Sequence, residues 1–186
     1  MPKDKQLARD AVERKAQRLL DQYKMQRIPI DVGKLAERAG YRVVFRYFDE
    51  ADLSATVIRE ASGQITLGIN TLHAPVRQRF SIAHEIGHAQ LHLKADGEAL
   101  FVDPPAGVLF RDSRASLGED PREINANQFA AALLMPREMV RQALTKLAKS
   151  GTLTIDAAVS RLAAQFEVSP QAMRYRLVVL GFIEPD

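Results

Sequence analysis

Residues 84–88 read His-Glu-Ile-Gly-His. On a helix turning about 100° per residue, the two histidines lie about 40° apart on one face, one turn from each other. Two neutral imidazoles in that arrangement can clasp a single divalent ion, usually zinc. Glu85, beside the first of them, stands where it can take a proton from water activated by that ion. The pattern predicts the centre of a metallohydrolase, most often a peptidase.

Five letters recur by chance on solvated helices, so the neighbours matter. Ile82, Ala83, Ile86, Gly87 and Leu91 make this helix largely apolar and therefore buried. Unpaired polar burial is costly, so two histidines and a glutamate on such a helix need partners. Gly87 costs roughly 1 kcal/mol of helix propensity against alanine, which implies a close approach to the backbone there.

A hydrolytic zinc site needs a third protein ligand and an open position for water. With no cysteine in the chain, that ligand is a carboxylate or another histidine. His92 continues the four-residue spacing but lies about 80° around the helix from His84 and about 12 Å along it, too far to share one ion with it. His73 precedes the helix and could reach in from a loop. The longer HExxHxxGxxH pattern is absent, since Leu91 and Lys94 occupy its last two positions. Glu123 is the stronger candidate. On a helix opening at Pro121, Glu123, Asn127, Ala130 and Leu134 fall within about 40° of one line. Small Ala130 and Ala131 allow that helix to come close, and Asn127 could support a ligand one turn on. Asp120-x-x-Glu123 also has capping-box spacing, a purely structural alternative, and Glu119 and Asp120 remain ligand candidates.

The elements that must position these groups follow from pattern. Residues 4–24 read as an amphipathic helix, and Asp31 introduces a short one ended by Gly40. Strand-like segments follow at 41–48, 53–60 and 64–70, predicting a small, mostly antiparallel sheet, with QITLGIN (64–70) either as the edge on which a substrate strand could add or as an interior strand. The motif helix starts near Pro75. Residues 94–119 are irregular, with FVDPPAGVLF as a hairpin or a loop across the cleft. Helices over DPREINANQFAAALLMP and MPREMVRQALTKLAKSG come next. The last residues carry a helix, a Ser169-Pro170 start and a second helix ending at Gly181, which is helix-turn-helix arithmetic. The expected division is 1–150 for the site-bearing unit and 151–186 for a helical segment packed on it. The expected fold class is α+β.

Composition narrows the function classes. The 186 residues are 46 % apolar and 26 % charged, the balance of an ordinary globular protein. Without cysteine, disulfides and thiolate metal sites are excluded. The opening MPKDKQLARDAVERK lacks a signal-peptide core and no apolar run reaches membrane-span length, so a cytoplasmic protein with no membrane partner is expected. A net charge of +3 is too small to argue for nucleic acid by itself.

RQRFSIAHEIGHAQLH (77–92) together with REINANQFAAALLMP (122–136) resembles the ImmA/IrrE-type metallopeptidases across roughly residues 25–180. The resemblance implies a minimal zincin-like domain with a helix-turn-helix-like segment beside or after it. It implies metal ligands at His84, His88 and Glu123, a general base at Glu85, and zinc as the ion, with manganese as the alternative. It also implies an endopeptidase that cleaves a helix-turn-helix repressor, relieving repression of stress-response or mobile-element genes.

A different class of function competes: a DNA- or protein-binding regulator using the C-terminal helices, with the metal site structural or inactive. Residues 145–186 hold five Lys or Arg against four Asp or Glu, less positive charge than phosphate-tracking helices carry. Arg174, Tyr175 and Arg176 are the contact set for that reading. For stabilising a tetrahedral oxyanion, His73, His92, Tyr41, Tyr47, Arg77 and Arg79 stand as equal candidates.

Overall fold

The computed structural model describes residues 3–48, 53–93, 99–102, 120–149, 151 and 154–185. Seven helices and four strands lie among them, in an α+β arrangement. In chain order these are α1 (Lys3–Gln22), α2 (Val32–Arg38), β1 (Tyr41–Arg46), β2 (Ala55–Arg59), β3 (Ile65–Asn70), α3 (Pro75–Leu91), β4 (Ala99–Val102), α4 (Pro121–Leu134), α5 (Arg137–Lys149), α6 (Ile155–Phe166) and α7 (Pro170–Val179).

Helix starts follow the capping chemistry. Asp31 accepts from the Lys34 amide ahead of α2, Thr154 from Ala157 ahead of α6, and Ser169 from Ala172 ahead of α7. Proline opens α3, α4 and α7, where its missing N–H costs nothing.

The sheet is four-stranded and mixed. Its order is β1-β3-β2-β4, with β2–β3 and β2–β4 antiparallel and β1–β3 parallel. Of the two placements open to it, QITLGIN is therefore the interior strand and not the edge. The cause lies in the side chains. Ile65, Leu67 and Ile69 of β3 are all buried, and Val57 and Leu67 are cross-strand partners at 0 % exposure. Such a strand gains most with a neighbour on each side. β1 carries Arg42 and Arg46, whose charge is tolerated at an edge. The tight β2–β3 connection turns on Gly63, at φ +85°, where the Glu60 amide donates to the Gln64 carbonyl. Of the segment read as hairpin or loop, β4 holds residues 99–102, and 103–119 lie outside the described residues.

α3 packs on β2, β3, α2 and α4, and α4 in turn packs on α1. One apolar cluster runs through these layers and into Val159, Leu162, Phe166, Met173 and Leu177 of α6 and α7. Two polar ties fasten the C-terminal pair. Arg79 of α3 donates to the Ile30 carbonyl at 2.9 Å and to the Glu167 carbonyl at 3.3 Å. Arg176 of α7, 2 % exposed, donates to the Met135 carbonyl at the end of α4 and to both carboxylate oxygens of Glu13 in α1. No helix among the described residues is long and apolar enough to cross a membrane.

Candidate metal centre

Every residue of α3 from Ser81 to Ala89 is buried, so His84, Glu85 and His88 sit inside the molecule at 3 %, 0 % and 1 % exposure. The C-terminal end of α3 meets the first turn of α4. Gly87 makes the approach possible: a Cβ there would come within 3.2 Å of the Ala126 Cα and carbonyl oxygen and 3.3 Å of the Phe129 Cβ. The close approach that the glycine implied is thus to the backbone of α4, and Ala126 is the small residue at the contact.

That crossing brings three donors together. The Nε2 atoms of His84 and His88 are 2.9 Å apart. Glu123 places Oε2 3.3 Å from the first and Oε1 3.2 Å from the second. Burial works against the charge on Glu123, but the hydrogen bonds and charge of the two rings outweigh it and hold the carboxyl far below its ordinary range. Glu123 keeps 24 % of its side-chain exposure, so the group opens to solvent on the α4 side. Among the described residues this is the one group of three or more such side chains with ligand atoms inside 4.8 Å of one another. Two imidazole nitrogens and a carboxylate are the donors that transition-metal ions take, and the residues fit a divalent ion.

The other candidates lie elsewhere. Asp120 caps α4, accepting from the Arg122 amide at 2.9 Å, so half of the capping-box reading holds while the Glu123 carboxylate lies against the imidazoles. Glu119 lies outside the described residues. His92 turns its Nε2 to the Arg122 carbonyl at 3.1 Å. His73 is outside the donor group, its ring pushed toward the neutral form by burial and by Arg77. Asn127, one turn past Glu123, has a buried Oδ1 with no hydrogen-bond partner among the described residues.

Among the oxyanion candidates, Arg77 donates to Ser54 at 2.8 Å and Arg79 is tied to Ile30 and Glu167, so both brace the start of α3. The Tyr41 hydroxyl is pushed up by burial, against a hydrogen bond from Gln90 at 2.6 Å. Of the set offered for DNA, Arg176 is buried, Arg174 pairs with Asp156, and Tyr175 is 41 % exposed. Sequence reading missed the burial of Arg176. Its signal was there, since it follows Met173 by three residues and precedes Leu177, on the apolar line of α7.

Known proteins resemble this chain in sequence and in fold. A solved structure of a Mycobacterium tuberculosis transcriptional regulator superposes with a TM-score of 0.56 at 20 % identity, over 91 % of this chain and 46 % of that one, a likeness of fold. The radiation response metalloprotease IrrE of Deinococcus deserti is 35 % identical over 109 residues, 59 % of this chain and 34 % of the relative. Its Deinococcus radiodurans counterpart is 34 % identical over 109 residues, 59 % and 29 % of the two chains. An immunity region protein of Bacillus phage phi105 is 35 % identical over 74 residues, 40 % of each chain. The matches to the Deinococcus relatives thus span about a third of those proteins' length. The profile of the peptidase family described as the IrrE N-terminal-like domain matches residues 36–178, from α2 to α7 and across all three donor residues, and the chain belongs to that family.

Proposed function

We propose that the chain is a zinc-dependent endopeptidase with His84, His88 and Glu123 as ligands and Glu85 as general base. The observation that carries this reading is the arrival of a carboxylate from α4 at 3.2 and 3.3 Å from two imidazole nitrogens of α3. The three donor groups stand 2.9 to 3.3 Å from one another, close enough that one divalent ion would be held by all three. The imidazole pair favours zinc over manganese, which suits carboxylate and water oxygens better.

When bound, the ion supplies Lewis acidity, polarising the scissile carbonyl and making water a competent nucleophile near neutral pH. The chain's residues do the rest. Glu85 takes the proton of the attacking water and passes it to the leaving nitrogen. The rings of His84 and His88 present Nε2 inward, so each carries its ring proton on Nδ1 when ligating and needs an acceptor there. Asn127, one turn past Glu123 and with a buried Oδ1, is assigned a supporting role beside the ligands.

The substrate we assign is a helix-turn-helix repressor in the cytoplasm, whose loss would derepress stress-response or mobile-element genes. The family's motifs and the names of the relatives, radiation response and phage immunity, support it. We assign residues 1–150 to a zincin-like unit and 151–186 to a helix-turn-helix-like pair that packs on it. The burial of Arg176 and the pairing of Arg174 weigh against α7 as a reader of DNA.

The test incubates the purified chain and zinc with the repressor encoded beside its gene and reads fragments by intact mass. Cleavage should stop with a zinc chelator, return with added zinc, and be absent in Glu85→Gln. Cleavage at the wild-type rate in the variant or under chelation would end the proposal.

A further inference from the structure

Two polar contacts hold the peptide that precedes Glu123. His92, the C-cap residue of α3, places Nε2 3.1 Å from the carbonyl oxygen of Arg122. A carbonyl only accepts, so His92 Nε2 carries the proton and cannot ligate a metal through that nitrogen. The Arg122 carbonyl and the Glu123 amide belong to one planar peptide group. That amide donates to the Asp120 carbonyl at 3.0 Å. The Asp120 carboxylate in turn accepts from the Arg122 amide and guanidinium, both at 2.9 Å. The peptide leading into Glu123 is therefore fixed at its oxygen from α3 and at its nitrogen from the start of α4. Gly87 against Ala126 sets how far apart the two helices stand, and His92 sets where the first turn of α4 lies along α3.

We propose that His92 is a positioning residue for the metal centre. It anchors the turn that delivers the Glu123 carboxylate, and it neither ligates the ion nor donates to substrate. This rests on the reading of His84, His88 and Glu123 as the ligand set. Its sequence position, four residues past His88, resembles a continued ligand series, whereas its bond leads away from the ion to the neighbouring helix.

The experiment compares wild type, His92→Ala and His92→Gln in two measurements on the full chain: zinc affinity by competition with a chromophoric chelator, and the visible absorption of the cobalt-loaded protein, which reports ligand number and geometry. His92→Ala should bind zinc about tenfold more weakly, as loss of a supporting hydrogen bond does, with shifted cobalt bands. His92→Gln, which keeps a side-chain N–H donor, should recover part of both. Wild-type affinity and cobalt bands in His92→Ala would overturn the proposal, even if its metal-free unfolding midpoint fell. A loss of zinc as complete as that of Glu123→Ala would overturn it too, by making His92 a ligand. A wild-type chain that takes up neither ion would overturn the ligand set, and this inference with it.

Discussion

Two sets of buried polar groups in this molecule are arranged differently. In the C-terminal pair, Arg176 is enclosed with its partners spread outward, to Glu13 in α1 and to the Met135 carbonyl of α4. That is a staple: the charge is spent joining three helices. At the α3–α4 crossing, the buried groups instead converge, and two imidazole nitrogens and a carboxylate meet at one spot facing solvent. A fold gains little from crowding like donors together, because their desolvation is costly. Convergence, more than burial, separates a site from a brace.

The largest effect expected at the converging region is on chemistry. Glu85→Gln should lower peptide hydrolysis by about a thousandfold, with zinc per molecule unchanged, as read by elemental analysis beside a kinetic assay. Zinc lost in that variant would recast Glu85 as a ligand. Glu123→Ala should weaken zinc binding by more than about a hundredfold, beyond what loss of a supporting partner costs. A modest fall in stability with zinc retained would return Glu123 to the capping role.

The bracing region should respond the other way. Arg176→Met should cost about 3 kcal/mol in urea unfolding, the low end for a broken buried pair because Glu13 keeps some solvent contact. Zinc bound per folded molecule should stay at wild type; a specific loss of zinc would blur the contrast between the regions. Gly87→Ala should do both, costing about 1–3 kcal/mol by overpacking and weakening zinc binding as the helices part. The smallest effect is Ser169→Ala, about 1 kcal/mol from the lost α7 cap, with no change at the metal.

Much of this was legible in the sequence because it is local. Pro75 and Pro121 mark the starts of α3 and α4, and the four-residue spacing puts His84 and His88 on one face. Gly87 announced a close neighbour before that neighbour was known to be Ala126. Glu123 stood out because it heads a line of small and apolar residues. What escaped was set by partners distant in sequence. Strand order depends on which strand gains most from two neighbours, and alternation within QITLGIN cannot report that. His92 and Arg176 were weighed by residue type, as ligand and as DNA contact, when their partners 30 and 41 residues away decide what they do.

With β3 enclosed, β1 is an open border of the sheet among the described residues, and it bears Phe45 at 53 % exposure, with Tyr47 at 64 % just beyond it. Unpaired amides beside exposed aromatics invite a second chain to zip on, and Arg42 and Arg46 stand there as gatekeepers whose like charges repel such a copy. The edge is therefore guarded in part by two arginines of β1. Neutralising both should bring self-association at high concentration before any change at the histidines.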